Sequence, residues 1–140
     1  MTRMTTLFAA LACSSCGAPG GTGGSTSTEI TVADHADPLT STGQDVLCVL
    51  TLSKASAGID SAALAVFAGL PGKTLTVMNF TVNDTNSNGS LDQGETMTIK
   101  EPGRNVFDAS TVGQKVSVEL NQKVDANAYR LLGSATWLAN

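Results

Sequence analysis

Apolar and polar residues alternate in several short segments of this chain, with the period of a β-strand that is buried on one face. The alternation runs through residues 29–34, 74–82, 96–100, 115–120 and 129–138. Many of these positions hold Val, Ile or Thr, whose β-branched side chains suit the pleated surface of a sheet. The segments therefore predict strands, and the Gly-rich stretches between them predict turns.

Two further segments are strand candidates. Residues 45–52 contain the run V-L-C-V-L-T-L, which is continuous enough for the centre of a sandwich. Residues 106–112 form a weaker strand candidate. Short strands at regular spacing predict an all-β fold, an antiparallel β-sandwich over residues 29–140.

Residues 57–70 are open to two interpretations. Asp60 and Ser61 followed by A-A-L-A-V-F-A could begin an N-capped helix. Residues 64–68 also fit a short strand after a turn. We favour the strand, because the segments on both sides are strands.

The beginning of the chain has the composition of a signal peptide. Arg3 supplies a positive charge, and the apolar run at residues 7–12 is too short to span a bilayer. Ala10 and Ala12 give a small-x-small cleavage pattern, which predicts a signal peptide over residues 1–12. Residues 13–28 are rich in Gly and Ser and predict a flexible linker.

Small residues directly before Cys13 resemble the processing box of bacterial lipoproteins, although Ala10 stands where Leu is commoner. The resemblance implies that Cys13 becomes the lipidated N-terminus, with Cys16 as the second choice. The alternative is a C-x-x-C redox or metal pair, but the chain has no second pair to complete a zinc site. Cys48 lies within an apolar run and is predicted to be a small buried hydrophobe.

One polar stretch has the spacing of a metal-binding loop. Residues 84–95 read D-T-N-S-N-G-S-L-D-Q-G-E. Calcium takes six to eight oxygen ligands, and a short loop can supply them only by wrapping around the ion. The predicted ligands are the side chains of Asp84, Asn86, Asn88, Asp92 and Glu95 together with the main-chain carbonyl of Ser90.

This stretch resembles the calcium loop of the EF-hand, with Gly89 at the sixth place and Leu91 at the apolar eighth place. Its flanks differ from an EF-hand, because residues 74–82 and 96–100 predict strands in place of helices. We therefore expect the ion site to cap a β-hairpin, and the helix opening of calcium sensors is not expected. With only three acids among the ligands, we expect a dissociation constant of roughly 10⁻⁵ to 10⁻³ M.

The alternative for this stretch is an ordinary hairpin turn at Asn88-Gly89. That interpretation does not explain three carboxylates at ligand spacing or the apolar eighth place. A second metal site could form where His35 lies between Asp34 and Asp37, but a polar turn that ends at Pro38 explains those residues more simply.

A wider resemblance follows from the order strand, calcium loop and Thr-rich strand T-M-T-I. It is similar to the calcium-loop hairpins of immunoglobulin-like modules on bacterial and archaeal surface proteins. From V-L-C-V-L-T-L to the hairpin, the apolar pattern is also similar to archaeal pilin-like β domains. The resemblance implies an immunoglobulin-like β-sandwich.

Charge and composition narrow the classes of function. The chain has 12 Asp and Glu against 8 Lys and Arg, a net charge of −4, and no basic cluster. Nucleic acid is therefore not expected as a partner, and membrane contact is expected only through the lipid anchor. A single His and the absence of G-x-S-x-G also leave a Ser-His-Asp hydrolase without support, so an enzyme is not expected.

These observations predict an exported, lipid-anchored calcium-binding β-sandwich with a structural or surface-interaction role. Its expected location is the cell envelope, at the outer membrane or cell surface, or otherwise the periplasm or the medium. The alternative is a calcium-dependent module that binds a carbohydrate or another polymer. Possible partners are a surface protein or a polysaccharide.

Overall fold

The computed structural model describes residues 27–140, and within that range the chain forms nine strands and two short 3-10 turns. The strands are β1 Glu29–Asp34, β2 Val46–Lys54, β3 Ile59–Asp60, β4 Leu64–Gly69, β5 Thr76–Asn83, β6 Ser90–Leu91, β7 Thr96–Lys100, β8 Lys115–Asp125 and β9 Ala128–Leu138; the turns are Ser61–Ala63 and Ala109–Thr111. The predicted all-β class is confirmed. The predicted signal peptide, Cys13, Cys16 and nearly all of the linker lie outside the described range.

Seven of the strands form one antiparallel sheet in the order β1-β2-β7-β5-β4-β8-β9. The sheet curls until its two edges meet. A Cβ on Gly133 of β9 would lie 3.2 Å from the carbonyl oxygen of Thr28, just before β1. The result is a nearly closed sheet around one core, and β3 and β6 form a separate two-stranded ribbon.

The core follows from the alternation in the sequence, since every second side chain of a strand points to the same face. Its most deeply buried members are Leu47, Leu50, Leu52, Val66, Leu91, Met97, Ile99, Val116, Val118, Leu120 and Trp137. In β2, Leu47 and Cys48 are both buried because the register with β7 shifts between Val46 and Cys48. Beyond that irregularity buried and half-buried side chains alternate as far as Leu52, and only the last two residues of β2 are exposed.

Cys48 is 1% exposed, and burial raises the pKa of its thiol to about 12, with the nearby charge of Asp34 acting in the same direction. The prediction that Cys48 is a small buried residue is confirmed.

The structure resolves residues 57–70 in favour of the strand, with a short turn before it. Asp60 caps a single 3-10 turn by accepting a hydrogen bond from the amide of Ala62, and β4 follows at once. The strand prediction for residues 106–112 is wrong. The amides of Val106 and Phe107 donate to Oε1 of Glu101, so they make no ladder hydrogen bonds with a neighbouring strand.

None of the helical segments in residues 27–140 is long and apolar enough to cross a membrane.

Candidate metal centre

The predicted calcium loop closes a β-hairpin. Strands β5 and β7 pair antiparallel, and their last pair joins Asn83 to Thr96. The connection between these two residues is residues 84–95, the twelve residues that the sequence singles out as an ion loop. Strands flank the loop on both sides, as predicted.

Asp84 curls the first half of the loop around its own carboxylate. Its Oδ1 accepts a hydrogen bond from the amide of Asn88 at 3.2 Å, and its Oδ2 accepts one from the amide of Gly89 at 2.7 Å. Gly89 has a φ of +79°, which a residue with a Cβ adopts only with strain. This backbone conformation explains why the sixth place of the loop is occupied by Gly.

The middle of the loop is held by Asn side chains. The Oδ1 atoms of Asn86 and Asn88 accept hydrogen bonds from the amides two residues ahead, at 3.1 and 2.8 Å. The Nδ2 atoms of the same residues donate to Oδ2 of Asp92 at 2.8 and 2.7 Å. Three of the predicted ligands thus converge on one point.

Glu95 closes the far side of the loop and is only 5% exposed. Its Oε2 accepts a hydrogen bond from the amide of Asp92, and its Oε1 accepts two from Thr85, through the amide and the hydroxyl. These bonds favour the ionised form, so the pKa of Glu95 is lowered, with the amide of Asp92 as the largest cause. The carboxylate is fixed against the loop and does not extend into solvent.

We expect Glu95 to make the hairpin sensitive to acid. A carboxyl whose pKa is lower in the folded state stabilises the fold above its unfolded value near pH 4.3, and this contribution is lost as the pH falls through the folded value. Unfolding free energies between pH 7 and pH 3 in the presence of a chelator should therefore fall more steeply for the wild type than for Glu95→Gln. Curves of unfolding free energy against pH that run parallel for the two proteins would contradict this. The pKa of Asp108 is also lowered, but both proteins contain Asp108, so its effect cancels when their unfolding free energies are subtracted.

A second segment, which the sequence did not indicate, buttresses the loop. Strand β3 pairs with β6 inside the loop, joining Ile59 to Leu91 and Asp60 to Ser90, and Leu91 is fully buried. The amide of Ser61 donates to the carbonyl of Gly89 at 3.0 Å. The apolar eighth place thus anchors the loop to the core, as the spacing indicates.

Gly58, directly before β3, lies against the loop so closely that a Cβ there would overlap Oδ1 of Asp92. Strand β2 holds the other end of the loop, since the amide of Gly94 donates to the carbonyl of Leu52 at 2.8 Å. The ion loop is therefore fixed to β2 and β3 as well as to its own hairpin.

The donor set fits a hard cation in part. The side chains include carboxylate and carboxamide oxygens, which are the ligands that calcium prefers. Within residues 27–140, however, no three His, Cys, Asp or Glu side chains come together as a metal-ligating group. Coordination requires the carboxamides of Asn86 and Asn88 to turn about the Cβ–Cγ bond, so that oxygen replaces the nitrogen that now faces Asp92.

The cluster at His35 has the features of a polar turn. Oδ1 of Asp34 accepts a hydrogen bond from Nε1 of Trp137 at 2.6 Å, which occupies one of its oxygens. Nδ1 of His35 lies 3.3 Å from Oδ2 of Asp37 and 3.4 Å from its amide nitrogen. These contacts favour the turn over the second metal site.

Comparison of the chain with protein-family models, with curated proteins and with solved structures gave no match.

Proposed function

We propose that residues 84–95 bind one calcium ion, and that the ion stabilises a β domain with a structural or surface-interaction role. The observation that carries the proposal is the hairpin itself. The pair Asn83 and Thr96 encloses twelve residues, which begin at Asp84 and end at Glu95, the two carboxylates at the first and last ligand places. The carbonyl of Ser90 would join the side chains as a further ligand.

The surroundings of the loop support a structural role for the ion. Through β6 and β3 the loop is attached to the start of β4, and through Gly94 it is attached to β2. An ion in the loop would therefore fix three separate parts of the chain at one end of the sheet. Because an ion that binds only the folded state stabilises that state, calcium binding is coupled to folding.

The proposal includes export and a lipid anchor at Cys13, with Cys16 as the second choice. A site of weak affinity suits a protein outside the cytoplasm, where calcium is abundant. The resemblance of the hairpin to immunoglobulin-like modules of surface proteins supports the same location. The proposal also includes that the observed antiparallel fold is an immunoglobulin-like β-sandwich. A complete set of ligands from one loop would leave the ion no open position for direct coordination of a sugar or another ligand.

Calcium titration by calorimetry tests the proposal. We expect the wild type to bind one ion with a dissociation constant of roughly 10⁻⁵ to 10⁻³ M. Glu95→Gln should weaken binding about tenfold or more, because it removes a charged ligand that can offer two oxygens. Glu119→Gln is the matched control, since it makes the same change in charge on β8, away from the loop.

Two results would overturn the proposal. One is the absence of calcium binding by the wild type, and the other is an affinity that Glu95→Gln leaves unchanged.

A further inference from the structure

A cleft of about 360 Å³ opens at the same end of the sheet as the ion loop. It lies between the beginning of β1, the β2–β3 connection, β3 and the facing parts of β8 and β9. Its volume is in the range that small-ligand sites occupy. One wall is β3, the strand that pairs with the ion loop.

The cleft contains a cation, Arg130, that has no carboxylate partner within residues 27–140. The guanidinium of Arg130 donates to Oε1 of Gln122 on the neighbouring strand. The ion pairs found in residues 27–140 are His35 with Asp37 and Lys54 with Glu29, and neither includes Arg130. A guanidinium carries five N–H donors in a planar fork, so it retains donors for a carboxylate.

The rest of the lining suits a ligand that carries hydroxyl groups. Asp60 uses Oδ1 to cap the 3-10 turn, and its Oδ2 accepts no hydrogen bond from the part of the chain that the structure describes. The side chains of Ile59 and Leu132 provide apolar surface. Among the described residues the lining has no aromatic side chain, so a ligand here would be recognised through hydrogen bonds and charge and not by stacking.

A second cleft of about 300 Å³ adjoins the first and shares Asp60 with it. Its lining includes Lys123 and the carboxylates of Asp60 and Asp125, so it too combines a cation with carboxylate acceptors. Two adjacent clefts of this kind match a ligand built from repeating units.

We propose that the first cleft binds a carboxylate-bearing sugar residue of an acidic polysaccharide, and that the second cleft takes the next residue of the same chain. The sugar carboxylate pairs with Arg130, its hydroxyls donate to Asp60, and its C–H face packs against Ile59 and Leu132.

Calcium and the sugar should reinforce each other, and this part of the inference rests on the proposed calcium site. Ile59 and Asp60 belong to the wall of the cleft and also pair with Leu91 and Ser90 of the ion loop. An ion that fixes the loop therefore fixes the wall. Because linkage is reciprocal, the sugar must raise the affinity for calcium by the same factor.

Titration of digalacturonate into the protein with saturating calcium tests the cleft, after subtraction of the heat of digalacturonate with calcium alone. Neutral galactobiose should bind at least tenfold more weakly. Arg130→Gln should weaken digalacturonate binding about tenfold or more. Arg130→Lys keeps the charge but loses the planar fork of donors, so its affinity should lie between those of the wild type and Arg130→Gln. Arg104→Gln is the matched control, because Arg104 follows β7 at the opposite end of the sheet.

The outcomes separate this inference from the calcium site. Calcium binding without digalacturonate binding, or equal affinity in the wild type and Arg130→Gln, overturns the acidic-sugar cleft and leaves the calcium proposal standing. Digalacturonate binding that requires Arg130 in a protein that binds no calcium supports the cleft and removes the calcium site. An affinity that a chelator leaves unchanged overturns the coupling, whereas a loss of about fivefold or more supports it.

Discussion

Calcium at a hundredfold excess over its dissociation constant is expected to stabilise the folded protein by about 2.7 kcal/mol. For a domain of this size, each kcal/mol raises the melting temperature by roughly 4 °C, so the expected shift is about 10 °C. The physical reason is that the loop gathers its ligands only when β5 and β7 are paired, and the unfolded chain has no such site. Thermal unfolding in calcium and in chelator, followed by circular dichroism, measures the shift.

Asp84→Ala should abolish that shift. The variant should also be slightly less stable without calcium, by about 1 kcal/mol, because the amides of Asn88 and Gly89 lose their acceptor. Asp37→Ala is the control, since it removes an exposed carboxylate of the polar turn after β1. A wild type that melts at the same temperature in calcium and chelator would contradict the prediction, as would a shift that persists in Asp84→Ala.

The alternation of apolar residues was enough to locate most of the sheet. Strands β1 and β7 begin and end at the predicted residues, because their alternation stops where polar turns begin. Strand β8 was predicted to end at Leu120 but continues to Asp125. Its last residues are mostly polar and exposed, and they remain a strand through their pairing with β9, which a pattern of burial cannot reveal.

Part of the candidate site could likewise be predicted from the sequence, and part could not. The order of ligands along residues 84–95 is a local property, so the sequence could indicate the loop and its apolar anchor. The contact of Gly58 with Asp92 and the pairing of β3 with β6 depend on the path of the chain between distant segments. A Gly before a two-residue strand has no periodicity that would identify either contact.

Glu101 shows a further limit of prediction from the sequence. This carboxylate is 2% exposed and accepts hydrogen bonds from the amides of Val106 and Phe107, at 2.7 and 2.9 Å. It directly follows β7 and precedes Pro102 and Gly103, and a Glu in such a connection is ordinarily exposed. Its burial is possible because backbone donors of the following loop converge on it, and the apolar appearance of residues 106–112 reflects packing around that loop and not a strand.

The other large effect is expected at Trp137, which is 2% exposed near the end of β9. Its ring meets that of Phe107 edge-to-face with centroids 5.9 Å apart, and its Nε1 donates to Asp34 of β1. It therefore links the last strand to the first where the sheet nearly closes. Trp137→Ala should cost about 3–5 kcal/mol of unfolding free energy, because it leaves a large cavity in the core.

Urea unfolding in the presence of a chelator measures this loss. Trp137→Phe should cost less than Trp137→Ala, since it keeps much of the packing and loses the hydrogen bond to Asp34. Tyr129→Ala is the comparison on the same strand, and it should cost far less, because Tyr129 is 44% exposed. The stabilisation that calcium adds should be the same in Trp137→Ala as in the wild type, since Trp137 pairs with Val116 at the end of the sheet opposite the ion loop. A loss below about 1 kcal/mol in Trp137→Ala would show that the contact between the first and last strands does not hold the sheet together.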